Sequence, residues 1–183
     1  MDKISEAIIL ATRAHEGQKR KIDSFPYILH PLEVASVITS LTSDEDVICA
    51  GIMHDVLEDT PITKEELTNK FGSKVCALVM GETEDKSNKD WYTRKSESIN
   101  RMKASKDINV KIMWLADKLS NIRSIYRAYN KQGEEVWNYF RMKDPRMHKW
   151  YYESVLEGLE ELKDTLAYQY YKRLVEEVFD KYK

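Results

Sequence analysis

A run of seven apolar or small residues, Val47-Ile48-Cys49-Ala50-Gly51-Ile52-Met53, leads directly into His54-Asp55-Val56-Leu57-Glu58-Asp59. A helix this apolar on nearly every side leaves no face for water, so it has to lie at the centre of the fold. The pattern predicts one helix from about Val47 to near Asp59, because Thr60 precedes Pro61 and a residue before proline is pushed out of the helical region. On such a helix His54 and Glu58 are four apart, as are Asp55 and Asp59, so each pair shares a face. Its last turn would hold carboxylates at the negative end of the helix dipole, each disfavoured by about 0.3–1 kcal/mol. A purely structural helix more often carries Lys or Arg there. A bound cation would remove the conflict.

The rest of the chain is also helical in pattern. Six glycines and four prolines punctuate 183 residues, and no stretch alternates for long as a strand does. Ala7, Ile8, Leu10, Ala11 and Ala14 mark a first helix up to about Gly17, followed by a polar, basic loop to His30. Pro31 is expected to open the second helix and Ser43 with Asp46 to cap the third. Thr63-Lys64-Glu65-Glu66 reads as a capping box, with Gly72 ending that helix. Further helices are expected over about 74–83, 91–103, 110–129, 147–162 and 165–182, with a short one at 133–140. Glu84 to Asp90 reads as a charged loop. The fold class is therefore all-α, a single domain over 1–183 built as a bundle of about ten helices.

Composition narrows the function. With 29 basic against 31 acidic residues the net charge is −2, which gives no general reason to expect a nucleic-acid or anionic-membrane partner. No segment approaches the roughly 18 apolar residues of a membrane helix, and Met1-Asp2-Lys3-Ile4-Ser5-Glu6 lacks the layout of a secretory signal. Cys49 and Cys76 sit inside apolar patterns and read as free core thiols of a cytoplasmic protein. No protein partner is readable.

Metal sites draw ligands from several elements. His30 precedes a helix start, His54 and Asp55 lie near a helix end, and Asp117 breaks the apolar run Ile112-Met113-Trp114-Leu115-Ala116 with a charge. A partly buried acid of this kind needs a partner. Asp117, Asn121 and Ser124 share one face, and Asp117 could instead pair with Lys118 or Arg123. His15 reads as orienting a loop or a packing partner, and His148 as exposed. A basic cluster, Lys19-Arg20-Lys21, lies in the loop leading to His30, and Lys86, Arg94 and Lys95 could extend it. Arginine pairs with phosphate or stacks on a base, so the cluster suits a polyphosphate or a nucleotide. No Walker loop, dinucleotide fingerprint or serine-hydrolase elbow offers another site.

His30, His54-Asp55 and Asp117 resemble the H…HD…D signature of the HD metal-dependent phosphohydrolases, an all-helical superfamily. Four longer segments are similar to the hydrolase domain of RelA/SpoT-type alarmone enzymes. They are Ala14–Lys21, Pro26–Ala35, His54–Thr60 and Leu115–Arg123, in order and within about residues 10–127. Thr83-Glu84-Asp85-Lys86 resembles the stand-alone small alarmone hydrolases, the metazoan SpoT-homologue kind, whose length this chain also fits. The resemblance implies Mn²⁺ held by His30, His54, Asp55 and Asp117. It implies that Glu58 and Asp59 handle the attacking water, that Asn121 sits near ribose and phosphates, and that Arg20 stacks on guanine with Lys21 and Ser124 close by. The implied reaction is hydrolysis of guanosine 3′,5′-bis(diphosphate), or its pentaphosphate relative, to GDP or GTP and pyrophosphate. Ser120 stands where that family often carries a ring. The residues alone leave the metal open among Mn²⁺, Fe²⁺, Co²⁺ and Zn²⁺. Rival readings are an HD phosphohydrolase for another nucleotide, such as NADPH or a deoxynucleotide, and a non-catalytic nucleotide-binding module. Trp150, Tyr151 and Tyr152 read as core or as an aromatic contact to the nucleotide.

Overall fold

The structure, a computed structural model, describes residues 1–84 and 90–182. Among them are ten α-helices, two 3₁₀ segments and no strand, only an isolated bridge between Lys19 and Pro26. The centre is built from α2 (Leu29–Thr39), α3 (Glu45–Ile52) and α8 (Ile108–Gln132). As its composition requires, α3 is buried from Val47 through Ile52. It packs on α2, on α1 (Lys3–Ala14) and on α6 (Ser73–Glu82). Gly51 permits the close approach to α2, since a Cβ there would lie 2.2 Å from Ile38 Cδ1. The long α8 packs on α2 and on α10 (Leu166–Phe179). The remaining helices are α4 (Val56–Asp59), α5 (Lys64–Phe71), α7 (Trp91–Ala104) and α9 (Pro145–Gly158). Among the described residues no helix is long and apolar enough to cross a membrane.

Several boundaries follow their local chemistry. Thr63 accepts from the Glu66 N–H while the Glu66 side chain accepts from Thr63, so the expected capping box caps α5. Gly72 follows with φ of 91°, a value that favours glycine. Other boundaries differ from the sequence expectation. Pro31 is the third residue of α2, not its first, because Leu29 and His30 already turn on carbonyls of Pro26 and Tyr27. Asp44 rather than Ser43 caps α3, through its carboxylate and the Asp46 N–H. Pro145 opens α9 two residues before the expected start, with Asp144 as its cap, and a 3₁₀ turn over Glu160–Leu162 separates it from α10. His148 is buried, not exposed: its Nε2 bonds the Met142 carbonyl at 2.7 Å and its ring stacks on Trp137. Cys49 and Cys76 are free and buried, as expected.

The main departure lies in the His54-Asp55 segment. No single helix runs from Val47 to Asp59. The chain leaves α3 at Met53, turns through His54 and Asp55, and restarts as the single turn α4. His54 and Glu58 are therefore not stacked by one helix, whereas Asp59 still bonds back to the Asp55 carbonyl at 2.9 Å within the turn of α4, and neither acid ends a long helix. Met53 takes φ −111° and ψ 12°, and its N–H is satisfied by the carbonyls of Cys49 and Ala50. The His54 ring can then fold back to the Gly51 carbonyl.

Beneath this turn the core is continuous. Leu115, fully buried at the middle of α8, lies two residues before Asp117. Leu115→Ala should lower the unfolding free energy by about 2–5 kcal/mol, read from urea denaturation. A loss under about 1 kcal/mol would show that the core does not support the site from below.

A candidate metal centre and the cleft beside it

Four expected ligands come together from three elements. His30 is the second residue of α2, His54 and Asp55 form the turn between α3 and α4, and Asp117 sits mid-way along α8. His30 Nε2 lies 3.2 Å from His54 Nε2 and 3.1 Å from Asp117 Oδ1. Asp55 Oδ2 is 2.9 Å from His54 Nε2 and 3.7 Å from His30 Nε2. His30, His54 and Asp117 are buried and each offers one ligand atom within 4.8 Å of the others, a group that could hold a metal ion. Asp55 is half-buried at the edge, where its Oδ2 also accepts from the Tyr27 hydroxyl at 2.5 Å.

Both imidazoles are fixed through the nitrogen that faces away. His54 Nδ1 lies 2.8 Å from the Gly51 carbonyl, which can only accept, so this nitrogen carries the proton. His30 Nδ1 lies 2.9 Å from Ser120 Oγ, and that hydroxyl donates to Glu33 Oε2 at 2.7 Å. The hydroxyl therefore accepts from His30. Arg123 Nη1 closes the relay on Glu33 at 3.1 Å. Ser120, where a ring was expected in the related enzymes, thus orients a histidine. Arg123 serves Glu33, while the Asp117 carboxylate is met by Lys118 Nζ. Both Nε2 atoms are left to converge, the second-sphere arrangement of metal-binding histidines.

The electrostatics point the same way. Burial depresses His30, holding it neutral, so its Nε2 lone pair faces the Asp117 oxygen at 3.1 Å. Two acceptors at that distance are favourable only with a proton or a cation between them. Burial also opposes a charged His54, but the carboxylates of Asp55 and Asp117 outweigh it and lift the imidazole to about 10. Asp117 and Asp55 are themselves held well below the usual carboxylate range. Burial opposes this, and it is outweighed by Lys118 for Asp117 and by His54 for Asp55. The donor set of two imidazoles and two carboxylates fits a divalent first-row cation.

The centre forms one wall of a cavity of about 180 Å³, also lined by Glu58, Asp59, Glu82, Ser98 and Trp114. This opens into a cleft of about 910 Å³ whose walls include Arg20, Lys21, Arg94, Lys95, Arg141 and Trp91. Arg20 Nη2 donates to Asn121 Oδ1 at 3.2 Å, and Asn121 Nδ2 donates to Asp117 Oδ1 at 2.6 Å. One chain of contacts thus joins the basic loop to the metal centre. Lys21 is exposed at the cleft. Ser124 is buried with its hydroxyl 3.4 Å from Asp23, inside the loop that carries Arg20. Glu58 Oε2 accepts from the Glu84 N–H at 3.2 Å, and the Asp59 carbonyl accepts from Gln18 at 2.8 Å. Lys95 pairs with Glu84 at 2.8 Å and lies over the Tyr151 ring, 5.0 Å from its centroid. His15 Nδ1 bonds Gln18, which matches a loop-orienting role. Lys86, expected at the cleft, lies outside the described residues.

The sequence assigned no site role to Tyr27, Trp114 or two acids, Glu82 and Glu84, and offered Lys118 only as a partner for Asp117. Glu82 ends α6 after the apolar run Val75–Gly81. The same signal, a carboxylate closing an apolar helix, drew attention to Asp55.

An all-helical bundle whose buried histidines and carboxylates face a basic cleft defines the metal-dependent HD class of protein. The HD domain family model matches residues 7–145, and the chain belongs to that family. A curated relative from Myxococcus xanthus, named GTP pyrophosphokinase, is 37% identical over 132 residues, which is 68% of this chain and 17% of the relative. A Vibrio cholerae relative, named guanosine-3′,5′-bis(diphosphate) 3′-pyrophosphohydrolase, is 31% identical over 183 residues, 97% of this chain and 26% of its own length. The matches span 17% of the Myxococcus relative and 26% of the Vibrio one, so this chain covers only about a quarter or less of their length. Among solved structures, one described as a metazoan ortholog of SpoT that hydrolyzes ppGpp superposes with a TM-score of 0.77 at 27% identity. That match covers 99% of this chain and 96% of the other.

In the metal-free protein a proton on His54 balances the two carboxylates, so an entering cation must displace it. Titration with Zn²⁺ at pH 7.5 should release about one proton per bound ion, measured by calorimetry in buffers of different ionisation enthalpy. Affinity should fall as pH is lowered. Binding with no proton release would contradict a charged His54.

Proposed function

We propose that this chain is a metal-dependent phosphohydrolase that removes the 3′ diphosphate of guanosine 3′,5′-bis(diphosphate), yielding GDP and pyrophosphate. The observation that carries the reading is the junction of two environments. A buried cluster suited to a cation opens directly into a cleft walled by Arg20, Lys21, Arg94, Lys95 and Arg141. Such a cleft matches a substrate with several phosphates, and the cluster matches cleavage of one of them. The names of the Vibrio cholerae relative and of the metazoan structure support the same substrate.

His30, His54, Asp55 and Asp117 would hold the ion, which we take to be Mn²⁺ by resemblance. When bound, it supplies Lewis-acid polarisation of a phosphoryl oxygen and makes water more acidic. Glu58 and Asp59 line the cavity beside it and accept the proton of the attacking water. A new bond forms from the water oxygen to the 3′ phosphorus as the 3′ oxygen–phosphorus bond breaks, and the freed ribose oxygen takes up a proton. Asn121 ties the ligand Asp117 to Arg20, so substrate contact at Arg20 is coupled to the position of a metal ligand. With Asn121 withdrawn from Arg20 toward ribose and phosphates, the Arg20 guanidinium becomes available to stack on guanine. Lys21 and Lys95 supply further positive charge to the phosphates, Ser124 braces the Arg20 loop through Asp23, and Lys86 is assigned to the same basic patch by its charge. The same reading puts the activity in the cytoplasm, where thiols such as Cys49 and Cys76 stay reduced.

The purified protein with Mn²⁺ should release pyrophosphate from the 3′ side, followed by chromatography of the nucleotide products. An inactive wild type, under conditions where a known hydrolase works, counts against the assignment. Glu58→Gln should retain metal and lose at least about a hundredfold in kcat. A metal-loaded variant with full rate would refute its role as base. Arg20→Ala should raise KM for the guanosine substrate by about tenfold. Equal effects of that change across a panel including NADPH and deoxynucleotides would show that Arg20 does not read guanine.

A further inference from the structure

The floor of the small cavity holds polar groups that neither the metal centre nor the acids Glu58 and Asp59 use. Glu82 closes α6, and Trp114 and Lys118 stand one turn apart on α8. Lys118 Nζ lies over the Trp114 ring, 4.6 Å from its centroid, and 3.9 Å from Glu82 Oε2. The three side chains are therefore one cluster, and the contact of Lys118 with Asp117 joins it to the ligand set. The side chain of Glu82 is 5% exposed and Trp114 is 1% exposed. Glu82 Oε1 and Trp114 Nε1 are both buried without a hydrogen-bond partner, and both residues line the cavity. Proteins rarely leave one such atom unsatisfied. Two in a single cavity, beside a lysine, mark a place built to receive something.

The chemistry of that something follows from the groups. Trp114 Nε1 is a donor only, and Lys118 carries three donor hydrogens. We propose that Glu82, Trp114 and Lys118 form a second phosphate-holding position, taking an oxygen of the substrate's 3′ diphosphate that faces away from the metal centre. Glu82 donates its carboxyl proton in this arrangement. Burial pushes that carboxyl up to about 8, against the pull of Lys118, and so favours its protonated form. A neutral acid, an indole and an ammonium all donate, and an anionic oxygen accepts. A second cation is a poor alternative occupant, because Lys118 already places a positive charge there. The proposal rests on the phosphohydrolase reading above, and it makes Trp114 and Glu82 specificity-determining residues for the diphosphate rather than for the base.

Inorganic pyrophosphate is the probe. Its binding to the Mn²⁺-loaded protein is measured by calorimetry, beside KM and kcat with the guanosine substrate. Trp114→Phe removes only the N–H, Glu82→Leu removes the acid, and Glu82→Gln keeps a neutral donor. The first two should weaken pyrophosphate binding and raise KM by about tenfold, the effect of one hydrogen bond to a charged group, with kcat within about threefold of wild type. Glu82→Gln should bind as wild type does. Thermal melting checks each fold, and if Glu82→Leu fails to fold, Trp114→Phe and Glu82→Gln decide. Wild-type pyrophosphate affinity in Trp114→Phe overturns the subsite. So does a folded Glu82→Gln protein that loses affinity by tenfold, which would mean that a charged carboxylate is required. A wild type that turns over no guanosine substrate, yet binds pyrophosphate with this dependence on Trp114, refutes the function and leaves the subsite standing.

Discussion

Two imidazoles and two carboxylates occupy one buried corner, and their mutual neutralisation is the constraint on which the rest of the structure depends. Four such groups cannot be taken out of water unless each is paired or bonded. His54 meets that demand between the carboxylates of Asp55 and Asp117, which lift its imidazole to about 10. His30 meets it as a neutral ring held by Ser120, Glu33 and Arg123. The partners come from α2, from the turn after α3 and from α8, so the corner exists only when those three helices are docked. Packing of α3 on α2 and of α8 on both supplies that docking, and Gly51 contributes both the close helix approach and the carbonyl that orients His54.

From this corner the chemistry changes over a short distance. The wall nearest the ligands carries acids, and the outer cleft carries arginines and lysines. Asn121 and Lys118 lie on the boundary, each bonded to Asp117 and each reaching away from it. Arg20 is linked to the Asp117 carboxylate through one side chain, Asn121. Glu84 does similar work on the other side, pairing with Arg94 and Lys95 while its N–H holds Glu58. The acids near the centre are thus held by neighbours that themselves face the cleft.

Much of the fold was legible because its signals are local. The capping box at Thr63, the turn at Gly72 and the apolar body of α3 each depend on residues within a few positions. The errors came where a local signal competed with tertiary demand. The run from Val47 to Asp59 has the periodicity of a helix, yet the chain turns at Met53 so that His54 can face His30 and Asp117. His148 reads as polar and is buried because Trp137, Phe140 and a carbonyl surround it from distant parts of the chain.

By itself the sequence determined the helical class and the central place of α3, which follow from composition and periodicity carried by every short segment. Its likeness to the HD signature named His30, His54, Asp55 and Asp117 as a candidate ligand set. Only the tertiary structure decided which nitrogen each histidine presents, that Ser120 and Gly51 fix the rings, and that Glu82 and Trp114 close the floor of the cavity. These depend on atoms up to 90 residues apart reaching hydrogen-bond distance. No pattern along the chain encodes such distances; they appear only when α2, α3, α6 and α8 are packed together.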